Sequence, residues 1–402
     1  MSKRLPSPAP RPDASLSRTL YSGLQQTTRQ MEKLHGVVAA SGFGLLRRLP
    51  LLDKPVRLAE TLHDTVAGGV FAALRQGGGA LLEVAEVVED IARAPGSTAN
   101  RGTGALRAAL NAVAGEELAT RGNPLAIAMG LYADGQRLEL DGASLAAAQP
   151  GATGEIVVFV HGFACDEKVW LQRGTAAAGE SAQPFGERLA VELGVTPLYL
   201  RYNSGLPIAD NGRAFGELLE ALVAAWPLRS PQLTLIGHSA GGLVARCACE
   251  VVDDAGVWPR WSWQRQTRML ICLATPHSGA PMEKMADLAT QALTLSPLTA
   301  ALGRSAAQRR EQVEALRREL SGTQAATRGI AYRLLGASLA EDVDHPLGEL
   351  IGDGVVTLSG ATAHPASGDV DSRRLGGVGH LGLLADERAY RQIREWMGAV
   401  LK

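Results

Sequence analysis

The chain has 402 residues, 46% of them hydrophobic and 20% charged, so it can bury a large core and wholesale disorder is excluded. Its 40 Lys and Arg against 41 Asp and Glu leave a net charge of −1, which excludes the basic footprint of a nucleic-acid binder. Glycine is abundant, at 46 residues, and aromatics make up only 4%, so the apolar fraction is mostly small and aliphatic and suits close packing and tight turns.

Residues 1–20 carry basic side chains and Pro6, Pro8, Pro10 and Pro12 but no apolar run. They predict a disordered tail rather than a secretory signal. Residues 21–120 predict a helical segment. Leu58, Leu62, Val66, Val70 and Leu74 form a ladder at i+4, Leu81, Val84, Val88 and Ile91 recur at three and four, and Leu106, Leu110 and Val113 form a third stripe. Gly77-Gly78-Gly79 and Pro95-Gly96-Ser97 break the pattern. This segment either packs on the following domain or lies on a lipid or polymer surface. Its acidic polar face (Glu83, Glu86, Glu89, Asp90) suits anionic membranes poorly.

The pattern changes beyond it, and residues 121–402 predict one α/β domain. Apolar stretches at 126–132 and 137–140 flank Asp134-Gly135, a hairpin signal. Short apolar runs at 156–160, 197–202, 233–236, 269–274 and 331–335 then alternate with helical stretches, one carrying Phe215, Leu218, Leu222 and Trp226. The chain closes on an amphipathic helix through Tyr390, Ile393, Met397 and Val400. Apolar strands alternating with helices predict a mostly parallel sheet with helices on both faces. Ligands of such sheets bind at the carboxyl ends of the strands, so each strand-to-helix loop is a candidate for chemistry.

No uncharged run reaches the roughly 20 residues of a spanning helix; the stretch 288–303 is too short and contains Pro297. Cys165, Cys247, Cys249 and Cys272 form neither a CxxC pair nor a disulfide framework, and four free thiols point to the cytoplasm.

The strand at 233–236 runs into Gly237-His238-Ser239-Ala240-Gly241-Gly242 and a helix. GxSxG alone is a weak signal, but in a sharp strand-to-helix turn it lifts the serine hydroxyl to the top edge of the sheet. A serine nucleophile needs a base, and the base an orienting acid. Downstream, Asp353 in Gly352-Asp353-Gly354 and His380 after Gly379 follow in that order, in loops on the same edge. His35, His63, His238, His345 and His364 are weaker bases by position, and Asp342 and Asp344 are the rival acids. The first strand ends in Val160-His161-Gly162-Phe163. Acyl transfer needs N–H donors aimed at a forming oxyanion, and the backbone amides of Phe163 and Ala240 are placed to supply them. His161 is expected to brace that loop.

Five ordered motifs carry a resemblance: the run 158–163, Gly237-His-Ser-Ala-Gly241, the run 273–281 (LATPHSGAP), Gly352-Asp-Gly354 and Gly379-His380. Together they resemble the α/β-hydrolases, in particular the bacterial lipase/esterase and GPI-inositol-deacylase-like group, over about residues 123–402. The resemblance implies an α/β-hydrolase fold with a cap insertion, preceded by the helical segment. It implies Ser239 as nucleophile, His380 as base, Asp353 as its orienter and a Phe163/Ala240 oxyanion hole. The implied activity is cleavage of a small-molecule or lipid carboxylic ester through an acyl-enzyme. A thioesterase or acyltransferase would use the same residues; a binding protein for a lipid or granule surface with a vestigial hydrolase domain is the reading from another class. Unlike the secreted bacterial lipases, the chain is expected to carry no signal peptide and no disulfide pair, and residues 379–383 hold no aspartate. No metal and no cofactor are expected.

Tyr202 and Asn203 end a strand at the same edge and, with Trp170 and His277, are candidates to contact substrate. The stretch at about 282–328, apolar through Met285, Leu288, Leu293, Leu295 and Leu298 and then charged, is the expected cap. Trp258, Trp261 and Trp263, with Arg260 and Arg265, fall at the opposite edge, where helix packing or a surface contact is expected.

Overall fold

A computed structural model describes residues 101–172, 183–252, 260–277, 329–363 and 368–401. The expectations for 1–100, the cap stretch 282–328, His364 and Trp258 lie outside the described residues. The chain divides into two compact units, Met1–Ala99 and Asn100–Lys402, and all that follows concerns the second.

Its first element lies before residue 121, where the sequence sets the domain boundary. Helix α1 (Arg101–Thr120) belongs to the same unit as the sheet. The guanidinium of Arg107 donates to the carbonyls of Pro124, Leu125 and Ala126. Asn111, fully buried, donates to Leu125 O at 2.8 Å and accepts from Ile127 N at 2.8 Å. These bonds satisfy main chain that would otherwise be stranded beside the first strand. The stripe Leu106, Leu110 and Val113 lies outside the described side chains.

Strands β1 (Gly130–Ala133) and β2 (Gln136–Arg137) form a hairpin. Asp134 and Gly135 turn it with φ of 49° and 75°, the paired positive φ values of a type I′ turn. Helix α2 (Gly142–Ala148) leads to β3 (Glu155–Val160); a 3-10 turn (Glu167–Leu171) and α3 (Phe185–Leu193) precede β4 (Thr196–Arg201). Then come α4 (Ile208–Ala225), β5 (Gln232–His238), α5 (Ala240–Glu250), the short α6 (Trp263–Gln266), β6 (Thr267–Leu273), β7 (Ala331–Ser338), α7 (Pro346–Ile351), α8 (Leu358–Thr362), β8 (Val370–Gly376) and α9 (Glu387–Val400).

The eight strands make one sheet in the order β2-β1-β4-β3-β5-β6-β7-β8. All neighbours are parallel from β4 to β8, and only β1 pairs antiparallel, with both β2 and β4. Alternate strand residues feed two cores. Ile156, Val158, Leu198 and Leu235 meet α4 and α5 on one face, and Val157, Phe159, Ile236 and Ile271 meet α3 and α9 on the other. This is an α/β-hydrolase fold, as the sequence predicts.

Strand β8 has no counterpart among the sequence expectations. Its Asp371, Ser372, Arg373 and Arg374 are at least partly exposed, because it is the outer strand and has no neighbour beyond it among the described residues. Charges on such an edge discourage pairing with other chains. Trp263 is fully buried, and Trp261 packs on α4 where Gly216 leaves room for its ring.

From β3 the chain crosses to β4 on one side, and from β5 to β6 on the other. The topological switch point therefore lies between β3 and β5. The loops leaving these two strands flank the crevice where open α/β sheets bind ligands.

Candidate active site

Ser239 sits between β5 and α5 with φ 54° and ψ −127°, a conformation that costs a non-glycine residue about 1–3 kcal/mol. Its amide donates to Leu273 O at 2.9 Å, tying the turn to the end of β6. Ala240 is the first residue of α5, so its N–H has no acceptor within the helix and points toward the edge with the positive end of the helix dipole.

The turn is tight because main chain approaches main chain. A Cβ on Gly241 would overlap the carbonyl oxygens of Val160 and His161 at the end of β3. The first belongs to the last residue of β3 and the second is held by the Tyr202 hydroxyl, so neither yields freely. Gly241→Ala is therefore expected to destabilise the fold by about 3 kcal/mol or more. Gly151→Ala, whose Cβ would meet nothing within 4 Å, is the control in a denaturant melt; equal midpoints would contradict this packing.

Gly162 and Phe163 follow β3 after His161, and a Cβ built on Gly162 would stand 3.1 Å from the Cβ of Ser239. The structure thus brings this loop against the serine. The ring of Phe163 is one of the few large apolar side chains left exposed.

The loops after β7 and β8 bring Asp353 and His380 together. His380 Nδ1 lies 2.7 Å from Asp353 Oδ2. The other carboxylate oxygen accepts from the amides of Val355 at 2.9 Å and Val356 at 2.7 Å. Asp353 is 3% exposed, so these bonds replace its hydration. Main chain joins the two loops as well: His380 N donates to Asp353 O, and Leu339 N at the end of β7 donates to Gly352 O. The rivals Asp342 and Asp344 are exposed.

Two further histidines lie under the site. His161 accepts from Tyr202 N on Nε2, so its proton is on Nδ1 and donates to Gly162 O at 2.9 Å. Burial holds its pKa down to about 4. His238, which the sequence ranks low as a base, donates from Nε2 to the backbone oxygen of His380 at 3.0 Å, across 142 positions of chain. Its ring lies 4.6 Å from the His380 ring, centroid to centroid. Burial, then the neighbouring His380, push its pKa well below the usual value.

Both histidines are neutral when folded but titrate near 6.5 when unfolded. Between pH 6.5 and about 4, the folded value of His161, the unfolded chain therefore binds more protons, and folding stability falls as pH falls. The expected slope is about 1.4 kcal/mol per pH unit for His161, and His238 adds to it in the same direction. Calorimetric melts at pH 7 and pH 5 check it, and an unchanged melting temperature would contradict the buried neutral pair.

The residues that the sequence marks as candidates to contact substrate are buried among protein partners. Tyr202 is 1% exposed and donates its hydroxyl proton to His161 O. Asn203, also buried, donates to Gly115 O and accepts from Gly205 N. Trp170 is buried against Phe159 and stands edge-on to His238. His277 is buried, and its amide donates to Thr275 O and Gly360 O. Burial of these side chains follows from partners far away in sequence, a signal that the top-edge position alone does not carry.

The four cysteines are unbridged, and burial pushes the thiols of Cys165 and Cys272 up to about 11 and 12. Among the described residues no group of three or more His, Cys, Asp or Glu is arranged to hold a metal, and no helix is long and apolar enough to cross a membrane.

The family model of the PGAP1-like alpha/beta domain matches residues 221–313, a stretch that includes β5, the Ser239 turn, α5 and β6. No curated protein matches the sequence. Among solved structures, the chain is similar to the mature lipase BlEst2 of Bacillus licheniformis at 18% identity, with 61% of this chain and 91% of that one covered and a TM-score of 0.42. It is similar to the esterase PF2001 of Pyrococcus furiosus at 10% identity, covering 63% and 84%, with a TM-score of 0.40. Esterase B of Lactobacillus rhamnosis follows at 13% identity, covering 67% and 80%, with a TM-score of 0.37.

Proposed function

Proceeding from an α/β-hydrolase fold, we propose that the chain is a serine hydrolase that cleaves carboxylic esters through an acyl-enzyme, in the reducing cytoplasm that four free thiols suit. The observation that carries this reading is the Asp353–His380 bond, on the same sheet edge as a serine held at positive φ. The carboxylate accepts from Nδ1, so the lone pair of His380 is on Nε2 and is free to take a proton.

In this reading Nε2 removes the proton of Ser239 Oγ as that oxygen bonds to the ester carbonyl carbon. The carbonyl π electrons move onto oxygen, and the amides of Phe163 and Ala240 stabilise the oxyanion. Collapse breaks the bond to the alkoxide, which leaves with the proton from His380. Water then attacks the acyl-serine by the same route, releasing the acid and restoring the hydroxyl.

The test is covalent labelling by a fluorophosphonate probe together with hydrolysis of a p-nitrophenyl ester series. Labelling that maps to Ser239 and falls sharply in His380→Ala is expected. A folded wild type that neither labels nor hydrolyses any member of the series overturns the proposal.

A further inference from the structure

We infer that helix α1 is a working part of the catalytic edge: it sets the loop that carries the Phe163 amide, with Asn203 and Ser204 as the positioning residues that transmit its grip. This rests on the serine-hydrolase reading above.

The contact face of α1 is made of small residues. Gly104, Ala108, Asn111, Ala112 and Gly115 share one side of the helix by their spacing, and Ala108, Asn111 and Ala112 are at most 2% exposed. At Gly115 the absence of a side chain lets the Asn203 carboxamide reach the helix backbone; a Cβ there would overlap it. Asn203 Nδ2 donates to Gly115 O at 2.9 Å. The opposite approach is equally close, since a Cβ on Gly205 would overlap the carbonyl of Asn111. Asn203 is then locked from its other side, its Oδ1 accepting from Gly205 N and its carbonyl from Asn211 Nδ2. Residues 203–205 are therefore clasped by α1 and cannot shift alone.

The neighbours of Asn203 hold the loop after β3 at both ends. Before Gly162, Tyr202 bonds His161 twice, through its hydroxyl to the carbonyl and through its amide to Nε2, and the two rings stack at 4.3 Å. After Phe163, Ser204 Oγ accepts from Ala164 N at 3.1 Å. Ala164 has φ 58°, a conformation that persists for a non-glycine residue only where the surroundings dictate it. Ser204 is that surrounding. The direction of the Phe163 amide is set between these two grips, and an amide aimed at an oxyanion acts only when aimed before the reaction begins.

The experiment uses the full chain with Ser204→Ala, Ser204→Thr and Gly115→Ala, measured by p-nitrophenyl ester kinetics, melting temperature and fluorophosphonate labelling. Ser204→Ala leaves the Ala164 amide without its acceptor, and kcat is expected to fall about 10-fold to 100-fold while KM stays within about twofold. Ser204→Thr keeps a hydroxyl there and restores most of kcat. Gly115→Ala favours helix by intrinsic propensity, yet it pushes on Asn203, so kcat falls in the same way. Where Gly115→Ala does not fold, the Ser204 pair decides.

An active, labelled wild type with Ser204→Ala and Gly115→Ala at unchanged kcat overturns the inference and leaves the hydrolase reading standing. Parallel loss of kcat and melting temperature in Ser204→Ala, with no rescue by threonine, reduces the contact to stability and also overturns it. A folded wild type that neither labels nor hydrolyses removes the hydrolase reading, and this inference with it.

Discussion

Ser239→Ala is expected to abolish fluorophosphonate labelling and to lower kcat for ester hydrolysis by about 10⁵-fold or more, with the melting temperature barely changed. The size of the effect follows from the division of labour at the edge. In the proposed mechanism the His380–Asp353 pair and the two amides act on a bond that Ser239 Oγ must first form, and without that oxygen they have nothing to activate. Small stability effects follow because alanine inherits the backbone of serine at φ 54°, and the serine side chain makes no cap bond to α5 that would be lost.

Ser239→Gly separates the two consequences further. Glycine adopts positive φ without strain, so this variant is expected to be inactive and more stable than wild type, by about 1 kcal/mol. A stabilised, inactive glycine variant beside an inactive, unchanged alanine variant would show that the turn stores strain for the sake of the hydroxyl. An alanine variant that keeps a tenth of the wild-type rate would instead move the nucleophile elsewhere.

The sequence made the central sheet legible where strands are buried on both faces. The runs around Val158 and Ile271 are apolar at every position, and the one around Leu235 is broken only by Thr234, because helices cover each side. Strand β8 was opaque for the opposite reason, since an outer strand with Arg373 and Arg374 looks like a solvated loop. At the candidate site, the sharp turn at Ser239 is legible because its neighbours are glycines that a tight turn requires. His238 could not be valued, because its use depends on the His380 carbonyl, which is remote along the chain. Tyr202 and Asn203 follow β4 directly, but the direction of their side chains depends on His161 and on α1. Helix α1 itself hides its working face, because periodicity reports bulky apolar side chains and this helix docks through Gly104, Ala108, Ala112 and Gly115.

Asp353→Asn is expected to lower kcat about 10⁴-fold while leaving the fold intact, and the reason can be read from two amides. One oxygen of Asp353 accepts from both Val355 N and Val356 N. Asparagine can satisfy both donors only by placing its carbonyl oxygen there, which turns its NH₂ group toward His380 Nδ1. That nitrogen must then accept, so the imidazole proton moves to Nε2, the atom that receives the proton of Ser239 in the proposed mechanism. The variant is structurally satisfied and catalytically in the wrong tautomer. Asp353→Ala differs in kind, because it strands two amides at a cost of about 1–3 kcal/mol each and is expected to melt earlier as well. Nitrogen-15 shifts of His380 distinguish these states directly: Nδ1 protonated in wild type, Nε2 protonated in Asp353→Asn. If Asp353→Asn hydrolysed esters at more than about a tenth of the wild-type rate, the bond to His380 would be a packing contact, and the orienting acid would have to be sought at Asp342 or Asp344, both on the surface.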